Sequence, residues 1–380
     1  MTAPVHTPTM GAIAITGAQG FLGWHLRCHL KGEPEGGARA VPREAFEDPA
    51  RLAAALEGAS VVFHLAGQNR GPEDEVEATN LRLADQLLAA LDRLPQAPAV
   101  VFANSIHHTR DTAFGRSKRE AARRLSAWLE RRGARFVDAV LPHLFGEGGR
   151  PFYNSAIATF CHQLAQGEAP EIQQDGEVEL LHAQRACAAL LALARDPQAR
   201  GTVRLPGAPM RVSEALARLQ EIQATYAAGI LPRFETDLDL DLFNAYRSCL
   251  YPDRYPTPLT LHTDARGSLF EAVKSRHGGQ AFLSTTKPGI TRGRHYHRHK
   301  LERFLVVSGQ AEIRIRRLFG EEVRVFPVSG AAPCVVDIPT LHTHEITNTG
   351  TGDLLTLFWS HEIFDPARPD TYPEPVIVEP

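Results

Sequence analysis

The run G-I-T-R-G-R-H-Y-H-R-H-K-L-E-R-F-L-V-V-S-G at residues 289–309 decides how the C-terminal third of this chain is read. His295 and His297 are two apart, so on a β-strand both imidazoles leave the same face. Glu302 follows five residues later, and Gly309 supplies a turn after the apolar run at 304–307. A fourth candidate ligand, His344, sits on a later strand-like segment. Three imidazoles and a carboxylate form a mixed nitrogen–oxygen set suited to a divalent transition metal such as zinc. The alternative is an exposed basic loop with incidental histidines, because Arg292, Arg294, Arg298, His299 and Lys300 crowd the same stretch. Short strand-like runs at 268–273, 280–285, 304–307, 311–316, 322–327, 334–338 and 354–359 are separated by turn residues. Such spacing predicts a β-sandwich or barrel.

Upstream the pattern is different. Residues 12–16, 61–65, 100–103 and 135–141 read as short buried strands, and 24–30, 80–91 and 117–131 as helices. Strands alternating with helices imply a parallel sheet covered on both faces. The composition shifts near residue 250, where Pro252, Pro256 and Pro258 fall within ten residues. The expected organisation is a nucleotide-binding α/β domain over 11–250, a Pro-rich linker over 251–260 and an all-β domain over 261–380. No internal repeat is visible.

Bulk properties narrow the function classes. The chain has 380 residues, 43% hydrophobic and 22% charged, enough for two or three ordinary cores. A net charge of −3 gives no case for nucleic acid or an anionic membrane as partner. No apolar run reaches the roughly 20 residues that a membrane-spanning helix needs. The first ten residues read as a flexible lead-in, with neither the basic nor the apolar part of a signal peptide. Five scattered cysteines without a C-x-x-C pair suit a reduced, cytoplasmic protein.

Gly17, Gly20 and Gly23 lie between the first strand and the first helix, as G-A-Q-G-F-L-G. Glycine lets the backbone turn tightly and approach a pyrophosphate, which then meets free N–H groups at the helix N-terminus. A ligand-free Gly-rich turn is the alternative. This spacing resembles the extended branch of the short-chain dehydrogenase/reductase family, and H-L-A-G at 64–67 and Ser117-Lys118 continue the likeness. The resemblance implies dinucleotide contacts at Gly17, Gly20, Phe21, Gly23, Leu65, Ala66, Gly67 and Lys118. Arg43, near the expected end of the second strand, favours NADP(H) by its charge, and a surface-exposed arginine is the plain alternative.

The family's catalytic pair is Tyr-x-x-x-Lys, the tyrosine protonating a carbonyl oxygen as hydride arrives. Here the lysine is Lys118 but the tyrosine position is Phe114, in F-G-R-S-K, and the first tyrosine of the whole chain is Tyr153. A phenyl ring donates no proton. Three readings follow: a slow or silent reductase that keeps NADPH structurally, another donor such as Ser105, His107 or His108, or an engineered exchange.

Residues 289–309 fit G-x5-H-x-H-x4-E-x6-G without a gap, which resembles the first motif of the cupin superfamily. The second, P-x-G-x2-H-x3-N, is met by Pro339, His344 and Asn348, with Leu341 at the glycine. The fold class expected is therefore an α/β Rossmann domain followed by an all-β cupin barrel. The metal could close a structural site or act as a Lewis acid.

A short-chain reductase followed by a cupin resembles the CapF (WbjC) family of bifunctional capsular and O-antigen sugar-nucleotide enzymes. The likeness is densest at 16–23, 64–70, 144–146, 153–161, 266–271, 287–309 and 364–372. It departs at Phe114 and at 182–185, H-A-Q-R, where the family is more acidic. The resemblance implies C3 epimerisation of a UDP-4-keto-6-deoxy-HexNAc by a zinc-bearing cupin domain. NADPH-dependent reduction at C4 then gives UDP-2-acetamido-2,6-dideoxy-L-talose, a precursor of UDP-N-acetyl-L-fucosamine, in a bacterial cytoplasmic homodimer. Lys287 and Asp337 are candidates for proton transfer, and Asn69, Arg70 and Asn154 for substrate or nicotinamide contact. Two alternatives stand beside this: an epimerase or isomerase with a silent reductase domain, and a non-enzymatic nucleotide-sensing or assembly partner.

Overall fold

The computed structural model describes residues 11–377; the expected N-terminal lead-in lies outside the described residues. Contacts divide the chain into two units, the first made of residues 11–145, 153–155 and 176–211, the second of 146–152, 156–175 and 212–377. That division falls elsewhere than at residue 250, because the helices Ala156–Gln166, Val212–Ala227 and Asp237–Ser248 pack on one another within the second unit.

The first unit is built on a six-stranded sheet whose strands, in spatial order, are Arg39–Ala40, Ile13–Thr16, Val61–His64, Ala99–Ser105, Phe136–Leu141 and Gly201–Arg204. Every pair is parallel. Strand alternation divides its side chains between two cores. Ala14, Val62, Val100 and Phe102 pack with helices Pro49–Leu56, Glu73–Leu91 and Ala113–Arg131, while Ile15, Phe63, Val101 and Val137 pack with Phe21–Lys31 and Ala183–Arg195. This is the doubly covered parallel sheet that the alternating pattern predicts. The chain leaves strand Ile13–Thr16 first to one side and then to the other, so the C-terminal end of that strand borders a crevice of the kind that receives ligands.

The three helices expected upstream all start earlier than hydrophobic periodicity alone suggests, at Phe21, Glu73 and Ala113. Glu73, Asp74 and Glu75 place three carboxylates in the first turn of Glu73–Leu91, where the helix dipole favours them. Thr112 caps Ala113–Arg131 by accepting from the Gly115 N–H at 3.1 Å, which puts Phe114 in the first turn of that helix.

The second unit holds two five-stranded sheets. One runs Thr257–Pro258, Cys334–Ile338, Glu302–Ser308, Leu354–Ser360, Gln280–Thr286; the other runs Val323–Ser329, Gln310–Arg317, His342–Asn348, Thr291–Tyr296, Tyr372–Pro373. One core joins them, with Phe304, Val336, Ile338 and Phe358 from the first and Ile313, Ile315, Phe326 and Ile346 from the second. The all-β expectation is met, but among the described residues no ladder closes the strands into one hydrogen-bonded barrel. The Pro-rich stretch is not a free spacer. The Tyr251 ring meets Phe326 edge-on and the Tyr255 ring lies tilted against it, and Thr257–Pro258 joins the sheet edge beside Cys334–Ile338.

Leu341 occupies the motif's glycine position and has φ 60°, a left-handed backbone that glycine adopts freely and leucine does not. It is fully buried, and its N–H donates to the His297 carbonyl at 2.8 Å, so packing and one hydrogen bond hold the strained residue in place.

Candidate active sites

In the second unit the four candidate ligands converge. One ligand atom from each of His295, His297, Glu302 and His344 lies within 4.8 Å of all the others. Strand register explains the convergence. His295 pairs with His344 in one sheet, while Glu302 projects from the facing sheet, opposite Ile338 on one side and Ser360 on the other. The strand carrying His295 bulges at Gly293, where an added Cβ would lie 2.8 Å from the His344 carbonyl oxygen. Only glycine lets the two ligand-bearing strands approach this closely.

The donor chemistry fits a divalent cation. Glu302 Oε2 lies 3.1 Å from His297 Nε2, 3.3 Å from His344 Nε2 and 3.9 Å from His295 Nε2. His344 is completely buried, and its Nε2 makes no hydrogen bond among the described residues. Burial lowers its pKa to about 3, so the ring is neutral, as a ligand must be. His297 Nδ1 donates to the Asp370 carbonyl at 2.6 Å, which leaves the Nε2 lone pair facing the cluster. Burial alone would raise the Glu302 carboxyl, but the His297 charge and the imidazole contacts hold it well below the usual range.

Asp370 was missed by reasoning on residue type and spacing. Its carboxylate accepts the backbone N–H groups of Arg298, His299 and Lys300 at 3.0, 2.9 and 2.7 Å, tying down the loop between His297 and Glu302. The only signal for it in the sequence is the run F-D-P-A-R-P-D-T-Y at 364–372.

His295 and Glu302 open onto a cavity of about 550 Å³, also lined by Arg292, Lys300 and Glu362. Lys287 and Asp337 do not line it. Lys287 is exposed and pairs with Asp353 at 2.8 Å. Asp337 stands opposite Arg303, whose neighbour Glu302 faces the cavity, so alternation turns Asp337 away from it. There it takes a two-pronged bond from Arg303, at 2.6 and 2.7 Å, and the Tyr226 hydroxyl at 2.6 Å. This is a buried structural pair.

The first unit holds the glycine turn. Gly17 has φ 68°, and a Cβ there would lie 2.7 Å from the Ala66 nitrogen, so the loop 65–67 passes directly over the turn. A Cβ on Gly23 would meet the Gly17 carbonyl oxygen. Gly20 caps Phe21–Lys31 without a side-chain bond, and no acid occupies the helix's first turn. Uncapped N–H groups with no competing carboxylate suit a bound diphosphate. Arg43 opens the short helix Arg43–Glu47 just after the strand Arg39–Ala40 and is exposed. Asn80 braces the loop from below: its amide bonds both backbone groups of Gln68 at 2.8 Å and donates to Ser117 Oγ at 3.1 Å.

Around Lys118 the expected groups are near one another. Lys118 is buried, and its Nζ donates to the Ala103 carbonyl at 2.5 Å, two residues before Ser105. Burial depresses its pKa to about 8, opposed by Asp138 on the neighbouring strand. Ser117 Oγ donates to the Phe114 carbonyl at 2.9 Å. Ser105 Oγ is taken up as the cap of the turn Ile106–Thr109, accepting the His107 N–H at 3.2 Å. The His107 ring lies edge-on to His143, with centroids 5.3 Å apart, and His108 Nδ1 bonds the Ser105 carbonyl at 2.7 Å. Asn69, Arg70 and Asn154 form one exposed cluster: Arg70 Nε donates to Asn154 Oδ1 at 2.7 Å, and the Tyr153 hydroxyl to Asn69 Oδ1 at 2.9 Å.

Comparison with known proteins agrees with this two-part layout. Residues 13–204 match the NAD dependent epimerase/dehydratase family and residues 262–372 the polysaccharide biosynthesis C-terminal domain. A UDP-2-acetamido-2,6-beta-L-arabino-hexul-4-ose reductase from Pseudomonas aeruginosa is 32% identical over 95% of this chain and 97% of its own. The crystal structure of the capsular polysaccharide assembling protein CapF from Staphylococcus aureus is 34% identical, covers 96% of this chain and all of its own, and superposes with a TM-score of 0.62. RMD from Pseudomonas aeruginosa, solved in complex with NADPH, is 20% identical over 63% of this chain and 99% of its own, with a TM-score of 0.55, and shares the fold. Among the described residues no helix is long and apolar enough to cross a membrane.

Lys118→Met should stabilise the cofactor-free protein at pH 7 by about 1–3 kcal/mol. The folded chain resists a proton that the unfolded chain accepts, so the penalty is complete below about pH 8 and fades as pH rises to 10.5. Urea unfolding across that window should show the gain shrinking; a gain that ignores pH would contradict it. Asp337→Ala should cost about 3–5 kcal/mol by stranding the buried Arg303 guanidinium. A variant that unfolds at the wild-type guanidinium midpoint would restore Asp337 as a functional carboxylate.

Proposed function

The chain belongs to the CapF (WbjC) family of capsular and O-antigen polysaccharide enzymes, and from that membership we propose that it is a bifunctional sugar-nucleotide enzyme. Its substrate is a UDP-linked 4-keto-6-deoxy-HexNAc. The second unit works as a cupin-type domain that epimerises C3, with zinc held by His295, His297, Glu302 and His344. The first then uses NADPH to reduce the C4 ketone, giving UDP-2-acetamido-2,6-dideoxy-L-talose on the way to UDP-L-FucNAc. The protein acts in the bacterial cytoplasm as a homodimer. The observation that carries the reading is the four-ligand cluster opening on a cavity.

The chemistry follows from the ketone. A C–H next to a carbonyl is acidic because the enolate spreads its charge onto oxygen, and a base removes the proton from one face before an acid returns one to the other. A divalent ion bound at the cluster supplies positive charge beside that oxygen. His295, half-exposed at the cavity mouth, and the buried His297, Glu302 and His344 fix where that charge sits. In the first unit the glycine turn and the uncapped helix Phe21–Lys31 hold the diphosphate, Arg43 selects the 2′-phosphate, and Lys118 orients the nicotinamide ribose. Bound NADPH supplies hydride.

Phe114 favours a second reading, in which the epimerase works and the reductase does not, because no hydroxyl stands at the acid position. Incubation with UDP-4-keto-6-deoxy-L-HexNAc in deuterated water separates the two. Deuterium should enter C3 without NADPH, and chelator-stripped protein should lose that exchange. Stoichiometric NADPH loss supports the bifunctional reading, whereas exchange without NADPH loss supports the second. No exchange at all would defeat both. Phe114→Tyr should raise reductase turnover roughly 100-fold, the usual worth of a positioned acid. An unchanged NADPH rate would place the acid elsewhere.

A further inference from the structure

We propose that Glu362 is the base that removes the substrate's C3 proton, an inference that rests on the epimerase reading above. Glu302 pairs with Ser360 across the sheet, and the His361 N–H extends the ladder by donating to the Leu301 carbonyl at 3.3 Å. Alternation places Glu302 and Phe304 on one strand, and Phe358 and Ser360 on its neighbour, along the same wall, and Lys300 and Glu362 flank that wall just beyond the strand ends. All six line the cavity. Glu362 therefore lies two residues beyond Ser360, the residue opposite Glu302, and lines the same cavity as that ligand.

The other carboxylates at this site are engaged. Glu302 faces three imidazoles. Asp370 accepts three backbone N–H groups. Asp365 accepts the Ala367 N–H at 2.9 Å and lies 3.4 Å from Arg368 Nε. Among the described residues the Glu362 carboxylate has no ion pair shorter than 4.0 Å, its distance to His361 Nε2. It is half-exposed to the cavity, and burial together with the nearby Asp370 charge raises its pKa, making it a better proton acceptor than an ordinary surface carboxylate. Lys300 is held differently: its Nζ donates to the Pro369 carbonyl at 3.0 Å and to Thr371 Oγ1 at 2.9 Å, so it is a fixed cation on the same wall.

The step balances within the site. A Glu362 oxygen takes the C3 proton, and the C3–H electron pair forms the C3=C4 bond as the C4 carbonyl pair moves onto oxygen. A water in the open cavity then delivers a proton to the opposite face of C3, the carbonyl re-forms, and Glu362 returns its proton to solvent.

The test uses the whole 380-residue chain, zinc-loaded, with UDP-4-keto-6-deoxy-L-HexNAc in deuterated water, without NADPH. Glu362→Gln should lower C3 exchange at least about 100-fold while bound zinc and melting temperature stay at wild-type values. Glu362→Ala should lose as much and regain part of the rate when acetate is added. Exchange in Glu362→Gln within about threefold of wild type would overturn the assignment and leave the epimerase reading intact. A fall that tracks zinc loss would also overturn it, making the residue structural. Wild-type protein that exchanges nothing would defeat the epimerase reading itself, and the role of Glu362 with it.

Discussion

The second unit depends on keeping an ionised carboxylate, Glu302, buried among three imidazoles. Such a group is unstable in a protein interior unless every lone pair and every ring nitrogen is accounted for. The surrounding chain supplies that accounting. The Asp370 carbonyl fixes the His297 tautomer, the Asp370 carboxylate anchors the loop before Glu302, and the Gly293 bulge admits His295 against His344. What remains is His344 Nε2, buried and without a hydrogen bond, and a divalent cation is the partner its chemistry suits.

The same strand does two jobs because its period is two. Glu302 and Phe304 face the cavity and the core between the sheets. Arg303, between them, points the other way into the buried pair with Asp337 and the Tyr226 hydroxyl. That pair sits beside Arg247, which is fully buried and donates to the Ile338 carbonyl at 2.6 Å, pinning the helix Asp237–Ser248 to the strand next to the ligand strand. A one-residue slip of register would exchange the two faces and destroy both arrangements at once.

The parts legible in the sequence were those with fixed spacing. The H-x-H-x4-E run and His344 carry their geometry in strand alternation, and the glycine turn carries its own in steric exclusion. Leu341 shows the same rule from the other side: the residue departs from the motif, yet the backbone keeps the left-handed angle that the motif's glycine serves. Spacing could not show which face a lone acid takes once its strand is placed, and so Asp337 read as a candidate and Glu362 did not. Long-range partners were equally hidden. Asp370 acts on a loop about seventy residues away, and Asn80 braces a turn through bonds that cross from a helix to a loop, separations at which sequence proximity carries no information. The barrel expectation was too specific for a similar reason, since alternation predicts two faces per strand but not whether edge strands meet.

The first unit poses a sharper question about what a single missing atom removes. Phe114 stands where the family resemblance puts the proton-donating tyrosine and lacks its hydroxyl, while the local structure around it is regular. The helix is capped at Thr112, Ser117 ties back to the Phe114 carbonyl, and Lys118 reaches the Ala103 carbonyl from a buried site. Burying that ammonium works against folding, as its depressed pKa records. A lysine so placed still offers a positive charge and N–H donors at the end of the strand Ala99–Ser105, beside the edge where a parallel sheet receives its ligand. Binding and proton donation are therefore separable here. On the proposed reading, the groups that would hold a dinucleotide do not depend on what supplies the proton, so the missing phenol would bear on the rate of reduction and not on occupancy of the site.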